Sequence, residues 1–394
     1  MKKTAIFTAA LATALCSSPA TGVPEAAKPA ASAQCASMSE SIAESEMQLF
    51  KNIYEKGSNT VISPYSIGTV MNMALCGANG RTEKEMRKAL KIPASKDREA
   101  ILKESKSLID SISSDSCLTI ESANSIWAKD EINRKYSEEC SKYFNAEARM
   151  LKSAEEINSW CSDKTHGKIK KIINSASGID VALINAVYFN GTWQTPFKKS
   201  MTRKESFKKS DGSSMTASMM HEKTGVSYFE NDSFKMISMP YKGRSASMLV
   251  LLPSEGTDIK RFVSNITSKK ITDALDGSSF EEVNIAIPKF KTEYEKELSS
   301  GFKKMGIRSA FGYAADFSRI APGLRISRIL HKTYIDVNEQ GTEAAAVTAA
   351  MMTKCMMPRK PKEFRADRPF MFVIMDTESN MPLFEGVIEN PEYR

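Results

Sequence analysis

Residues 181–189 read VALINAVYF, a run that is apolar almost throughout and is interrupted by the amide of Asn185. A run of that length and composition suits a central strand buried on both faces. It also divides the chain. Before it the apolar residues recur at helical spacing: Met47, Phe50, Ile53 and Tyr54 share one face in a segment that begins near Met38 and stops at Gly57. Amphipathic helices are predicted over 67–75, 82–90, 98–112, 133–144 and 154–173, with one strand over 118–127. After it the pattern is mainly β, with strands predicted at 234–240, 245–252, 283–290, 326–338, 370–376 and 382–388 and a short helix at 294–305. Helices first and strands second argue for an α+β fold with large sheets. With 394 residues, 41% of them hydrophobic, the chain can bury one large core or two ordinary ones. No internal repeat of 20–50 residues is present.

The first twenty residues have the make-up of an export signal. Lys2 and Lys3 are followed by the apolar run AIFTAALATAL, too short to span a membrane, and Ser18-Pro19-Ala20 offers small residues for cleavage. Secretion is therefore expected, with Cys16 raising lipid anchoring as the alternative, although Leu15 is large for a lipidation signal. Residues 21–37, rich in Ala, Pro and Ser, read as a flexible linker, leaving 38–394 as the folded domain. The net charge of +8 falls to about +6 without the signal; acids are interspersed throughout, so this is no nucleic-acid signature. Of seven cysteines, six lie beyond the signal. An even count in an exported protein permits disulfides but does not pair them, and the absence of a Cys-x-x-Cys pair argues against zinc.

The parts of familiar enzymes are missing. Only His166, His221 and His331 are available, and there is no Gly-x-Ser-x-Gly elbow, phosphate-binding loop, dinucleotide fingerprint or His-Glu-x-x-His motif. The chain reads as a non-enzyme without a cofactor or metal. Lys168, Lys170 and Lys171, and the Lys208-Lys209 pair, form basic clusters that read either as a solvated face or as a weak polyanion site.

The unusual segment is 339–358, EQGTEAAAVTAAMMTKCMMP. Its alanines would suit a helix. Read as a strand, however, one face carries Thr342, Ala344, Ala346, Thr348, Ala350 and Met352, all uncharged and all but the last small, so it could enter a packed interior without burying charge. Glu343 lies on the other face and Gly341 offers a pivot.

Five separated motifs resemble those of the serpin family, in the family's order. Glu339-Gln340-Gly341-Thr342-Glu343-Ala344-Ala345-Ala346 resembles the hinge of inhibitory members. Phe364-Arg365-Ala366-Asp367-Arg368-Pro369-Phe370 and Pro382-Leu383-Phe384-Glu385-Gly386 resemble the C-terminal signature. Residues 185–193 resemble the third strand of the main sheet, 62–67 the start of the second helix, and 157–160 part of the sixth. The resemblance implies a serpin fold, with a large mixed main sheet, further sheets and an exposed reactive-centre loop. It also implies a monomeric inhibitor that traps serine proteases as a suicide substrate. It places a shutter at Ser63, Ser66, Asn185 and His331, and a breach at Trp193, Lys289 and Glu339 with a Lys289–Glu339 ion pair. Counting seventeen residues from Glu339 puts the reactive bond at Cys355–Met356, as in members that inhibit neutrophil elastase. That predicts elastase- or chymotrypsin-like targets, since a cysteine side chain is small and moderately apolar. A one-residue shift puts Lys354 before the bond and predicts trypsin-like targets. A non-inhibitory carrier, storage protein or chaperone of the same family is the rival reading.

Overall fold

The computed structural model describes residues 30–113, 118–342 and 360–393, and of 30–37 the backbone alone. The expected export signal 1–20, Cys16, the hinge residues Glu343 to Ala346, and Lys354, Cys355 and Met356 lie outside the described residues.

The chain runs α1 (Ala30–Ile53), β1 (Thr60–Ile62), α2 (Pro64–Gly77), α3 (Gly80–Ala89), α4 (Arg98–Ser113), β2 (Leu118–Ala128), α5 (Arg134–Phe144), β3 (Glu147–Met150), α6 (Ala154–Lys164) and β4 (Val181–Thr192). It continues with β5 (Arg203–Lys208), β6 (Ser214–Glu230), β7 (Phe234–Pro240), β8 (Ala246–Pro253), α7 (Ile259–Asn265), α8 (Ser268–Asp276), β9 (Ser279–Pro288), β10 (Phe290–Glu297) and α9 (Ser299–Lys304). It ends with β11 (Ile326–Asn338), β12 (Gly341–Thr342), β13 (Lys362–Arg365), β14 (Phe370–Asp376) and β15 (Pro382–Ile388). One sheet has the order β10-β11-β12-β4-β2-β3, with β11 also pairing β4; the other runs β1-β15-β14-β8-β7-β6-β9-β13, with β5 on β6.

The apolar run of β4 has a simple cause. Val181, Leu183, Val187 and Phe189 face the main core, whereas Ala182, Ile184 and Ala186 face a second cluster built by Trp127, Ile157, Trp160, Ile169, Ile172 and Leu330. The six-stranded sheet is thus covered twice, by α2 on its inner face and by α6 and the chain after it on its outer face. Trp127 and Trp160 meet edge-on in that outer layer, 6.0 Å apart. All of α2 is buried; Pro64 opens it, and the Ser63 hydroxyl caps it by accepting from the Ser66 N–H.

Several elements differ from the sequence expectation. α1 begins at Ala30, inside the stretch read as a linker. The helix expected over 154–173 stops at Lys164, because His166 and Gly167 adopt positive φ (50° and 76°) and turn the chain across the sheet. The helix expected over 294–305 is confined to Ser299–Lys304. Residues 290–297 are strand β10, whose alternation of buried Phe290 and Thr292 with exposed Lys291 and Glu293 is a period of two. β5, β6, α7, α8 and β13 have no counterpart among the predicted elements.

Among the described residues, Cys76, Cys140 and Cys161 are buried free thiols, and burial pushes each up to about 12, which disfavours the reactive thiolate. Glu46 and Glu385 are among the carboxyl groups buried with the main core. Among the described residues, Glu46 on α1 has no hydrogen-bond partner for either oxygen, and Glu385 on β15 has none for Oε1. Burial raises both above the usual carboxylate range, Glu385 to about 8, with the nearby Glu385 charge adding to the effect on Glu46.

Candidate functional site

The centre of the six-stranded sheet is a seam between two parallel strands. β4 and β11 pair from Ile326↔Val181 to Tyr334↔Tyr188. Beneath it, on the inner face, Ser63, Ser66, Asn185 and His331 come together, all fully buried. The alternation of β4 points Asn185 inward with its apolar odd-numbered neighbours, and His331 is its register partner on β11.

Every polar atom of the seam cluster has a role. The Asn185 amide donates to Ser66 Oγ and, at 2.5 Å, to Asn124 Oδ1. Its Oδ1 faces His331 Nδ1, which must therefore donate. His331 Nε2 accepts the Ser63 backbone N–H at 3.2 Å, so the ring is neutral with its proton on Nδ1. Burial agrees with that assignment, holding His331 down at about 3. Ser63 Oγ donates to the Leu383 carbonyl at 2.6 Å, tying the cluster to β15 of the other sheet. Ser66 Oγ also reaches Asn124 Oδ1 at 3.0 Å and Ser122 Oγ at 2.6 Å. Sequence reasoning missed Ser122 and Asn124; their signal was two polar residues spaced by two on one strand face, between Ile120 and Ile126.

A second cluster sits at the end of the seam where β12 begins. Trp193, Lys289 and Glu339 are brought together. Lys289 Nζ lies 2.9 Å from Glu339 Oε2, and Thr202 Oγ1 donates to Glu339 Oε1 at 2.8 Å. Burial pushes the Glu339 carboxyl up, but the Lys289 ammonium and the hydrogen bonds outweigh it and hold the group below its ordinary value. Trp193 stacks on Tyr241 at 4.5 Å and donates Nε1–H to the Asn338 carbonyl at 2.9 Å. Thr202 and Tyr241 were not legible as members of this cluster.

Here β12 enters the sheet. Gly341 and Thr342 pair antiparallel with both β11 (Val337↔Thr342) and β4 (Thr342↔Gly191). Thr342 is fully buried, with Oγ1 2.8 Å from Tyr241 OH. Gly341 has φ 155°, and a Cβ there would overlap Gly191 O and lie 2.7 Å from Thr192 Cα, so this position requires glycine. The chain leaves the described residues at Thr342 and re-enters as β13, parallel to β9. Chemically the arrangement is a slot: two parallel strands, with a two-residue antiparallel strand between them at one end.

Comparison with known proteins agrees with this architecture. The profile of the family described as Serpin (serine protease inhibitor) matches residues 40–391. An uncharacterized serpin-like protein of Thermococcus kodakarensis is 34% identical over 87% of this chain and 83% of its own length. The leukocyte elastase inhibitor of Sus scrofa is 31% identical over 88% of this chain and 97% of its own. Among solved structures, the native state of the thermophilic serpin tengpin superposes with a TM-score of 0.83 at 29% identity, covering 90% of this chain and 94% of that one.

Proposed function

This chain belongs to the serpin family and has its fold, and from that premise we propose that it is a secreted suicide-substrate inhibitor of serine proteases, cut at Cys355–Met356. One observation supports the reading above all: β12 already sits between β11 and β4, with the rest of the small, uncharged face still to follow.

The protease serine oxygen attacks the carbonyl carbon of Cys355, the bond to the Met356 nitrogen breaks, and an acyl-enzyme forms. The freed segment continues β12 along the seam. Residues 342–354 would span about 40 Å as a strand and carry the tethered protease that far before water can release it. Insertion replaces the parallel β4–β11 pairing by two antiparallel ones, which are more stable per residue and satisfy the new strand's backbone. The native state is held from that outcome by a barrier. The small, apolar Cys355 side chain fits elastase- and chymotrypsin-like pockets, and the name of the pig relative supports the same class; cleavage after Lys354 would instead mark trypsin-like targets.

The test is incubation with elastase, chymotrypsin and trypsin. A denaturant-stable complex with one of the first two, and release of a C-terminal peptide beginning at Met356, is expected. Thr342→Arg places a charge where the side chain is fully buried, and Thr348→Arg repeats the test farther along the same face; both should turn the inhibitor into a cleaved substrate. Full trapping by both variants would overturn the mechanism. N-terminal sequencing of exported protein is expected to start at Thr21.

A further inference from the structure

The turn that ends α6 crosses the outer face of the seam and is firmly set. Thr165 Oγ1 donates to the Cys161 carbonyl at 2.7 Å and accepts the Ile169 N–H at 3.0 Å, while His166 and Gly167 take positive φ between them. His166 Nε2 lies 3.3 Å from Glu121 Oε1 on β2. The next residue, Lys168, is thereby carried over the strands. Its Nζ is 5.5 Å from the ring centroid of Tyr188 and 5.5 Å from that of Tyr334. Those two tyrosines are register partners on β4 and β11, with centroids 6.2 Å apart. Lys291 on β10 adds a second ammonium 5.6 Å from the Tyr334 ring.

We propose that Lys168 is a positioning residue that staples β4 to β11 across the outer face and so sets the rate at which the seam opens. The proposal rests on the strand-insertion reading above. The negative face of an aromatic ring attracts an ammonium within about 6 Å, and one ammonium can serve two rings only while they stay adjacent. An extra strand moves β4 and β11 apart by about 4.8 Å and takes the ring centroids to about 11 Å. Continuing the register of β12 places Ala345 between Tyr188 and Tyr334, in the gap that would open. The contact therefore belongs to the closed sheet alone, and losing it lowers the barrier to opening. The apolar stem of Lys168 lies half-buried, so its head group can be removed without emptying the site.

Sheet opening can be read without any protease, as the rate at which the intact protein takes up a synthetic peptide copying residues 342–354. Lys168→Met is expected to take it up about tenfold faster than the parent, the loss of two such contacts. Tyr334→Leu should accelerate it comparably, Lys168→Arg should stay near the parent rate, and Lys168→Met with Tyr334→Leu should be little faster than either alone. A general loosening of the fold would also speed Lys168→Arg and would make the double variant multiplicative. Lys168→Met within twofold of the parent, or multiplicative effects, would overturn the staple while leaving the function reading intact. A parent that takes up no peptide would overturn both.

Discussion

Two buried polar sites in this molecule have been solved in opposite ways. Under the seam, Ser63, Ser66, Asn124, Asn185 and His331 exchange hydrogen bonds until no side chain of the group lacks a partner. In the main core, Glu46 and Glu385 are as deeply buried, yet among the described residues three of their four carboxyl oxygens meet no donor. The first site lies beneath the β4–β11 pairing that the proposed mechanism would open, the second where Glu46 of α1 nears Glu385 of β15 in the other sheet. Neutral groups linked by directional bonds hold a joint closed with a strength that can be lost bond by bond. A pair of carboxyls without partners can be buried only by keeping its protons.

The comparison can be broken most sharply at Asn185. Asn185→Ala leaves His331, Ser66 and Asn124 short of partners at once and is expected to cost about 3 kcal/mol, read from urea unfolding. If the loss is under about 1 kcal/mol, the seam cluster is not cooperative.

The second test reverses the sign. Glu46→Leu with Glu385→Met replaces the unpartnered carboxyls by apolar groups and is expected to gain about 2 kcal/mol at pH 8.5. The pH profile separates the two sites further. Glu385 is raised to about 8 when folded, so its contribution is complete below about pH 4.3 and is lost as the pH climbs through about 8; Glu46 acts in the same direction. His331 is depressed to about 3, so its contribution is complete above about pH 6.5 and is lost as the pH falls toward 3. Each group changes stability by up to about 1.4 kcal/mol per pH unit inside its window. The parent should weaken between about pH 6.5 and 8; the double variant should be level there and keep only the acid limb. An alkaline limb that survives in the double variant would sink this account of the carboxyl pair.

The smallest effect is expected at the rim of the seam cluster. Ser122 is half-buried and bonds only the outer side of the network, to Ser66 and Asn124. Ser122→Ala should cost about 1 kcal/mol, and a cost equal to that of Asn185→Ala would show the network to be centred elsewhere.

How much of this could be read from the sequence follows from how local each signal is. β4 was legible because both of its faces are apolar, and α2, α4 and α5 because their stripes repeat at helical spacing. β6 was not, because exposed Lys223 and half-buried Thr224 alternate irregularly with buried Met219, Met220 and Val226 in a strand covered only in places. β10 was misread in part: Glu293 to Glu297 are good helix formers whose period of two is weak until Phe290 and Thr292 are included. Ser63, Ser66, Asn185 and His331 were reached through resemblance, not pattern, since their meeting depends on pairing across 268 residues of chain. Tyr241 and Lys168 gained their roles from tertiary register alone. No window of sequence carries the fact that Tyr188 faces Tyr334.

The tight passage at Gly341 reaches beyond this one molecule. Because the β4 backbone at Gly191 and Thr192 crowds that position so closely, any side chain there would push β12 off β4 and bare a row of amide and carbonyl groups. An unpaired edge of that kind accepts whichever extended segment arrives first, and in a concentrated solution the donor is as often a neighbour as the molecule itself. Glycine at 341 therefore keeps that edge of β4 covered as well as permitting a bend.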